Sequence, residues 1–185
     1  ERIARASEEM RELVQTFLML ARAQREDAGS APQQDISQVA DGLLSIWREP
    51  IESKGLRLMF EPGNPPDTRF NATLLSAVMG NLLRNAWQAD PQGKVSIGWQ
   101  QISPVQLQIY VDDSGAGIPV EQRSRVLEPF FTTKTPGNGS GLGLAIVQRI
   151  VREHGGHIQI SDNPAGQGTR MELTFPLATE HGAQS

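Results

Sequence analysis

Three groups of residues in this sequence have the types and spacing that nucleotide chemistry requires. Asp113 ends an apolar run, and two glycine clusters follow it, at Gly115–Gly117 and at Gly139–Gly143. Glycine can take positive φ values and lets the backbone approach a ligand closely. A short loop rich in hydroxyl and basic side chains separates the two clusters. The stretch from Asp112 to Leu144 therefore predicts a nucleotide held from two sides, with ATP as the first candidate.

Asp113 is predicted to lie at the end of a β-strand, because the residues before it, QIYVD, form an apolar strand pattern. A carboxylate on a strand end is held rigidly and can accept a hydrogen bond from an exocyclic amine such as that of adenine. Taken singly, Asp113-Ser114-Gly115 is equally typical of an ordinary exit from a strand into a loop. The order of strand, acid and glycines favours the nucleotide.

The second glycine cluster leads into an amphipathic helix, whose apolar residues recur at helical spacing from Leu144 to Val151. This places Gly139, Gly141 and Gly143 at a helix N-terminus, where unpaired N–H groups and the positive dipole end favour a phosphate. The cluster is not a P-loop, because no lysine follows its glycines. Its close spacing also excludes a dinucleotide fingerprint.

Asn81 and Asn85 lie four residues apart in the strongly patterned segment NATLLSAVMGNLLRNAWQAD, which predicts a helix beginning at Asn71. Their amides are therefore expected one turn apart on a single helix face. A carboxamide oxygen is a hard, neutral ligand that suits Mg²⁺ already carrying phosphates and waters. An isolated Asn-x-x-x-Asn pair is, however, more often a pair of exposed polar residues.

Composition limits the class of protein. The chain has 185 residues, which suits one compact domain with an extension, and its net charge of −4 argues against nucleic acid as a partner. No cysteine is present, so neither a disulfide framework nor a thiolate metal site is available. The chain begins in mid-pattern at Glu1, which indicates part of a longer protein. We expect a cytoplasmic location, with any membrane attachment through upstream segments.

Residues 1–27 are predicted to form a long amphipathic helix with a nearly heptad apolar stripe. Such a stripe is expected to pack on a partner helix, although a helix that simply covers the following domain is the alternative. Residues 28–34 contain Gly and Pro and predict a linker. The segment Asp35–Ser37 is a candidate edge strand, with Ser37 capping a helix that runs from Gln38 to about Ser53.

The rest of the sequence predicts mainly strands. Residues 55–60 alternate as a strand does, and residues 94–102 and 105–113 are expected to pair antiparallel. Gly155-Gly156 is expected to end the helix that follows the second glycine cluster, and two further strands are expected in residues 157–162 and 168–177. The tail, residues 178–185, is expected to be disordered.

Four of these segments together resemble a known family. NLLRNAWQA, DDSGAGIP, EPFFTTK and GSGLGLAIV resemble, in that order, the N, G1, F and G2 boxes of the catalytic ATP-binding domain of sensor histidine kinases. The resemblance implies the Bergerat ATP-binding fold, an α/β two-layer sandwich with a mixed sheet and three main helices, preceded by one long helix. It also implies that residues 1–27 are the second helix of the dimerisation and phosphoacceptor hairpin, and residues 35–177 the catalytic domain.

The resemblance assigns roles to individual positions and implies ATP and Mg²⁺ as cofactors. Asp113 matches the adenine-binding aspartate, Thr169 a threonine that supports it, and Asn85 the Mg²⁺ ligand, with Asn81 beside it as a second metal or phosphate contact. Lys134 is expected to reach the β- and γ-phosphates. The remaining nucleotide-binding positions that the resemblance implies are Gly115, Gly117, Thr133, Gly139, Ser140, Gly141, Leu142 and Gly143.

Two features bear on the chemistry that the resemblance implies: one residue that differs from the ATPases of this fold, and one family motif that this chain lacks. ATPases of this fold carry a glutamate where this chain has Asn81, and an amide cannot serve as a base for water at neutral pH. Transfer of the phosphoryl group to an external nucleophile is therefore favoured over hydrolysis. In the family the nucleophile is a histidine on the first hairpin helix, which passes the phosphoryl group to a response regulator aspartate. This sequence contains no such histidine motif, and the match for the first helix is expected upstream of Glu1. The alternatives are an ATP-driven conformational switch and a scaffold that has lost ATP, and a homodimer through the hairpin helices is expected in the full-length protein.

Overall fold

The computed structural model describes residues 33–53, 55, 57–61, 69–134 and 139–177. These ranges contain three α-helices and seven strands, and two short 3-10 helices, Val120–Gln122 and Arg125–Leu127, follow the fifth strand. The main elements in chain order are β1 (Gln33–Asp35), α1 (Ile36–Glu52), β2 (Arg57–Glu61), β3 (Arg69–Asn71), α2 (Ala72–Ala89), β4 (Lys94–Ser103), β5 (Gln106–Asp113), α3 (Gly143–Glu153), β6 (His157–Asp162) and β7 (Thr169–Pro176).

Five strands form a mixed sheet in the order β2-β4-β5-β7-β6. β2 runs parallel to β4, and the other neighbouring strands are antiparallel. The predicted pairing of residues 94–102 with residues 105–113 is confirmed by β4 and β5, in which Ile97 lies opposite Val111. β5 is therefore the middle strand of the sheet, and Asp113 is its last residue.

One face of the sheet forms the core with α2 and α3. Along β5, Leu107, Ile109 and Val111 alternate inward and are at most 2% exposed, as expected for a strand with a single buried face. α2 and α3 cover this face through Leu82, Val147 and their apolar neighbours. This arrangement confirms the predicted α/β two-layer sandwich with a mixed sheet.

The opposite face of the sheet carries polar side chains. Asp112 is only 7% exposed, and its two oxygens accept hydrogen bonds from Nε and Nη2 of Arg170, at 2.7 and 2.6 Å. The guanidinium lies 4.4 Å from the centre of the Tyr110 ring. A buried carboxylate requires such a charged, hydrogen-bonded partner. The pair fixes the strand immediately before Asp113 on the side away from the core.

The start of the described chain differs from what the sequence predicts. β1 ends at Asp35 and α1 begins at Ile36, so the expected strand over Asp35–Ser37 with Ser37 as the cap is wrong. The strand occupies Gln33–Asp35 instead, because these residues pair with Arg69–Asn71 of β3. The strand has only three residues, too few to show the alternation of a β-strand, and its partner strand lies more than 30 residues away in the sequence.

Several predictions lie outside the described residues. These are the helix over residues 1–27, most of the linker, the part of the loop between Lys134 and Gly139, and the tail over residues 178–185. In the part of the chain that the structure describes, no helix combines the length and apolar character needed to span a membrane.

Candidate nucleotide-binding site

A cavity of about 370 Å³ lies beside the end of β5 and the start of β7. Its walls come from α2, from the loop after β5, and from residues 131–134 and 139–144. The residues that line it are Asn81, Arg84, Asn85, Gln88, Ala89, Asp113, Ala116, Gly117, Ile118, Pro119, Gln122, Val126, Phe131, Thr132, Thr133, Lys134, Gly139, Ser140, Gly141, Gly143, Leu144, Thr169 and Met171.

Asp113 is held in place at one end of the cavity by the backbone around it. Its Oδ1 accepts hydrogen bonds from the N–H groups of Gly115, at 2.9 Å, and Thr169, at 3.2 Å, and the Thr169 hydroxyl also bonds to the carboxylate. The backbone oxygen of Asp113 accepts a bond from Asn163 Nδ2 at 2.7 Å. A carboxylate has about four lone-pair sites. Three are used here, so one remains for a ligand.

The close approach of β7 to this carboxylate depends on Gly168. Its φ is +128°, and a Cβ there would lie 1.8 Å from the backbone oxygen of Asp113. Neither the conformation nor the space is available to a residue with a side chain. Gly168 therefore allows the N–H of Thr169 to reach Oδ1.

Burial raises the pKa of Asp113 above its ordinary value. Hydrogen bonds from the Gly115 and Thr169 N–H groups and from the Thr169 hydroxyl act in the opposite direction, and the neighbouring Asp112 carboxylate adds to the increase. The hydrogen bonds from the protein therefore do not fully offset the cost of burying the ionised carboxylate. A ligand that donates an N–H to this carboxylate supplies what is missing.

Asn81 and Asn85 lie where α2 meets the start of α3. Asn81 is 5% exposed, and its Nδ2 donates to the Ala77 oxygen at 2.9 Å. A Cβ on Gly143 would lie 3.3 Å from Asn81 Oδ1 and 4.0 Å from Asn85 Nδ2. Glycine at 143 therefore lets the first turn of α3 approach both amides. The Asn81 oxygen remains an acceptor at this junction.

The N-terminus of α3 is open towards the cavity. Its first residue, Gly143, lines the cavity, and in the described part of the chain no side chain caps the helix at Leu142. The first N–H groups of a helix lack partners within it and, together with the helix dipole, favour an anion. This end of the cavity is thus suited to phosphate.

The loop that carries Lys134 is closed at its base by backbone contact. The N–H of Phe130 donates to the oxygen of Gly141 at 3.0 Å, and Phe130 itself has a φ of +66°. Gly141 has a φ of +68°, and a Cβ there would lie 2.5 Å from the Phe130 carbonyl carbon. Only glycine fits at 141, and the contact joins the two ends of the loop.

Charged side chains of both signs line the cavity. Among its lining residues Asp113 is the single carboxylate, whereas Arg84 on α2 and Lys134 on the loop are cations. Lys134 Nζ is hydrogen-bonded to Oε1 of Gln88 on α2. A fixed acceptor, two cations and the open N–H groups of α3 around one cavity match a purine base joined to a polyphosphate.

Residues 70–179 match the family of histidine kinase-, DNA gyrase B-, and HSP90-like ATPases, and the match covers more than half of the chain. The chain belongs to this family. A curated relative, the signal transduction histidine-protein kinase/phosphatase MprB of Mycolicibacterium vanbaalenii, is 35% identical over 91% of this chain and 35% of its own length. The chain spans between 16% and 39% of the lengths of the first curated relatives that it matches.

Solved structures of histidine kinases have the same fold. A mycobacterial sensor histidine kinase MprB superimposes with a TM-score of 0.68 at 30% identity, over 80% of this chain and 97% of that one. The histidine kinase ThkA, in complex with the response regulator protein TrrA, matches over 93% of this chain and 49% of its own, with a TM-score of 0.73 at 22% identity. The chain thus contains the ATP-binding catalytic domain of a sensor histidine kinase.

The boxes of this kinase domain converge on the cavity. Of the site residues predicted from the sequence, all but Gly115 and Leu142 line it. Gly115 is buried behind Asp113, where a Cβ would lie 2.7 Å from that of Ala89. Leu142 packs against the core. Both therefore contact the residues that form the site rather than the cavity itself.

Three residues in or beside the cavity were not predicted from the sequence. Arg84 and Gln88 line the cavity on the same side of α2 as Asn81 and Asn85, which their spacing of three and four residues could have indicated. Asn163 had no signal, because its bond to the Asp113 backbone joins residues 50 apart in sequence.

Proposed function

We propose that this domain binds Mg²⁺-ATP and transfers the γ-phosphoryl group to a histidine on a helix of the dimerisation hairpin, from which a response regulator aspartate receives it. The observation that carries the proposal is the polarity of the cavity. A backbone-fixed carboxylate lies beside the end of β5, and the same cavity is lined by two cations, Arg84 and Lys134, and by the open N-terminus of α3.

ATP is expected to bind with its adenine at Asp113. The exocyclic amine would donate to the remaining lone pair of the carboxylate, with Thr169 supporting that oxygen, and the apolar side chains of Ile118 and Met171 line the same cavity. The phosphates would lie against the first turn of α3, where Gly139, Ser140, Gly141 and Gly143 leave backbone accessible, with Thr133 and Lys134 on the loop side.

The donor set at the junction of α2 and α3 fits Mg²⁺. Asn81 keeps a side-chain oxygen as an acceptor, and Asn85 lies one turn further along α2. Amide oxygens are hard, neutral ligands, and Mg²⁺ usually takes few protein ligands besides phosphates and waters. Bound there, the ion would neutralise charge that develops on the phosphates. We assign Asn85 as the ligand and Asn81 as the second contact.

The side chains present favour transfer to protein over hydrolysis. Asn81 is a neutral amide and cannot take a proton from water, and Asp113, the single carboxylate of the cavity lining, is engaged with backbone N–H groups. Transfer requires the bond between the γ-phosphorus and its bridging oxygen to break while an imidazole nitrogen bonds to phosphorus. The protein's part is to align these atoms and stabilise their charge.

A separately made hairpin fragment that carries a phosphoacceptor histidine tests the proposal. With γ-labelled ATP and Mg²⁺, this chain should transfer label to the fragment and release little free phosphate. The label should be lost in acid and retained in base, as phosphohistidine requires, and it should be absent when the acceptor histidine is replaced by alanine.

The alternative function, an ATP-driven switch, gives the opposite result in the same experiment. Rapid release of free phosphate without labelled protein would support the switch and refute the kinase. Absence of ATP binding would refute both.

Asp41→Asn serves as the control for later variants, because Asp41 is an exposed acid on α1.

Partners follow from the same chemistry. A related kinase, ThkA, has been solved in complex with the response regulator protein TrrA, and we propose a receiver domain of that type as the acceptor from the phosphohistidine. We also propose a homodimer through the hairpin helices of the full-length protein, and a cytoplasmic location, where ATP is available.

A further inference from the structure

Gln88 joins two walls of the cavity, α2 and the loop that carries Lys134. Its Oε1 accepts a hydrogen bond from Lys134 Nζ across 46 residues of sequence. Gln88 is three residues after Asn85 and seven after Asn81, so all three side chains lie on one face of α2. The contact therefore ties the loop cation to the helix that carries the two amides.

The stem of Lys134 passes close to Gly139. A Cβ on Gly139 would lie 3.2 Å from Lys134 Cδ, and the N–H of Lys134 donates to Thr132 Oγ1 at 3.2 Å. The side chain thus runs between the start of the second glycine cluster and α2. Hydrogen bonds thus engage the backbone and the tip of Lys134, and the stem between them lies close to Gly139.

We propose that Gln88 is a positioning residue, which holds the Lys134 ammonium at the phosphate end of the cavity before ATP binds; this inference rests on the proposed function. An ammonium group has three donors, and the single amide oxygen of Gln88 takes one of them. Because the amide is neutral, the contact does not offset the positive charge that attracts phosphate. Fixing the cation in advance removes an ordering step from transfer.

An amide and a carboxylate at position 88 would affect Lys134 differently. Glutamate has nearly the same shape and would also hold Lys134, but it would neutralise the ammonium and repel the phosphates. Gln88→Glu separates positioning from charge. Gln88→Met keeps the length of the side chain and removes the acceptor, so it tests positioning alone.

Labelling of the hairpin fragment and calorimetric binding of ATP and ADP provide the readouts. We expect Gln88→Met to lower kcat about tenfold with KM for ATP within about twofold, because it removes one hydrogen bond to a charged group. Gln88→Glu should weaken ATP roughly tenfold and ADP less, since ADP lacks the γ-phosphate charge. Gln101→Met, at an exposed glutamine on β4, should behave as the original chain.

A double-mutant cycle with Lys134→Met decides whether Gln88 acts through the lysine. In the Lys134→Met background, Gln88→Met should change kcat less than about twofold. An undiminished effect there, or tight ATP binding by Gln88→Glu, would overturn the positioning role while leaving the kinase function intact. Failure of the unmodified chain to bind ATP or to label the hairpin would instead refute the proposed function.

Discussion

Replacing Asp113 by asparagine separates ATP binding from stability of the fold. Asparagine has the same shape, and its amide oxygen can still accept the N–H groups of Gly115 and Thr169, which lie 2.9 and 3.2 Å from Oδ1. The amide nitrogen then occupies the position of the second carboxylate oxygen. An amide N–H donor then faces the exocyclic amine of adenine, which is also a donor, so adenine loses the oxygen that would accept its hydrogen bond.

The expected loss in affinity follows from that exchange. A hydrogen bond to a charged group contributes about 1.5–3 kcal/mol, and each 1.4 kcal/mol is about tenfold in affinity. ATP binding should therefore weaken by roughly 10- to 100-fold. The new amide N–H and the adenine amine are both donors and face each other, which should weaken binding further. Isothermal calorimetry measures this change, and ADP, with the same adenine, should weaken by a similar factor.

Without nucleotide, the same variant should unfold at an equal or higher temperature. Burial raises the pKa of Asp113, so the ionised side chain is less favourable in the folded than in the unfolded chain at a pH above that pKa. A neutral amide removes this penalty. Calorimetric unfolding, with Asp41→Asn as control, checks the sign. Affinity within twofold of the original chain, or a clearly lower unfolding temperature, would contradict the role given to Asp113.

The remaining predictions concern pH, metal and packing. As pH falls, ATP affinity should begin to decline above the range in which an exposed aspartate titrates, because the raised pKa of Asp113 means earlier protonation; Asp113→Asn should lack this decline. Asn85→Ala should leave metal-free ATP binding nearly unchanged but abolish the gain from Mg²⁺ in a calorimetric titration, and an unchanged gain would exclude Asn85 as a ligand. Gly80→Ala should destabilise the fold in urea unfolding by about 1–3 kcal/mol, because the new Cβ would lie 2.7 Å from Cζ2 of Trp47. Gly42→Ala, with nothing within 4 Å of the new Cβ, should stabilise α1 by about 0.5–1 kcal/mol, and equal effects at the two glycines would contradict the packing of Trp47.

Much of the fold and of the cavity could be predicted because their signals are local. Asp113 follows an apolar strand directly, and Asn81 and Asn85 have helical spacing within one segment. The glycine-rich boxes occur in the order expected of the kinase family. Backbone geometry and ligand approach require particular residue types at these positions, so the sequence itself carries the information.

The rest depends on contacts between residues far apart in sequence. β2 pairs with β4, and β1 pairs with β3. Hydrophobic periodicity can predict each strand but not which strands pair. Glutamine is a common residue on exposed helix surfaces, so the sequence gives Gln88 no distinguishing signal. Its contact with Lys134 exists only in the folded protein. Asn163 bonds to a backbone oxygen, so its partner's side chain gives no hint of the contact.

The backbone bond between Phe130 and Gly141 makes the intervening loop a convenient place for protein engineering. Since the two ends are already fixed 3.0 Å apart, added residues between Lys134 and Gly139 need not disturb α3 or the strands. The entropy of closing a loop grows slowly, by about 0.6 kcal/mol for each doubling in length. A fluorescent reporter or an epitope tag inserted there should be tolerated by the fold.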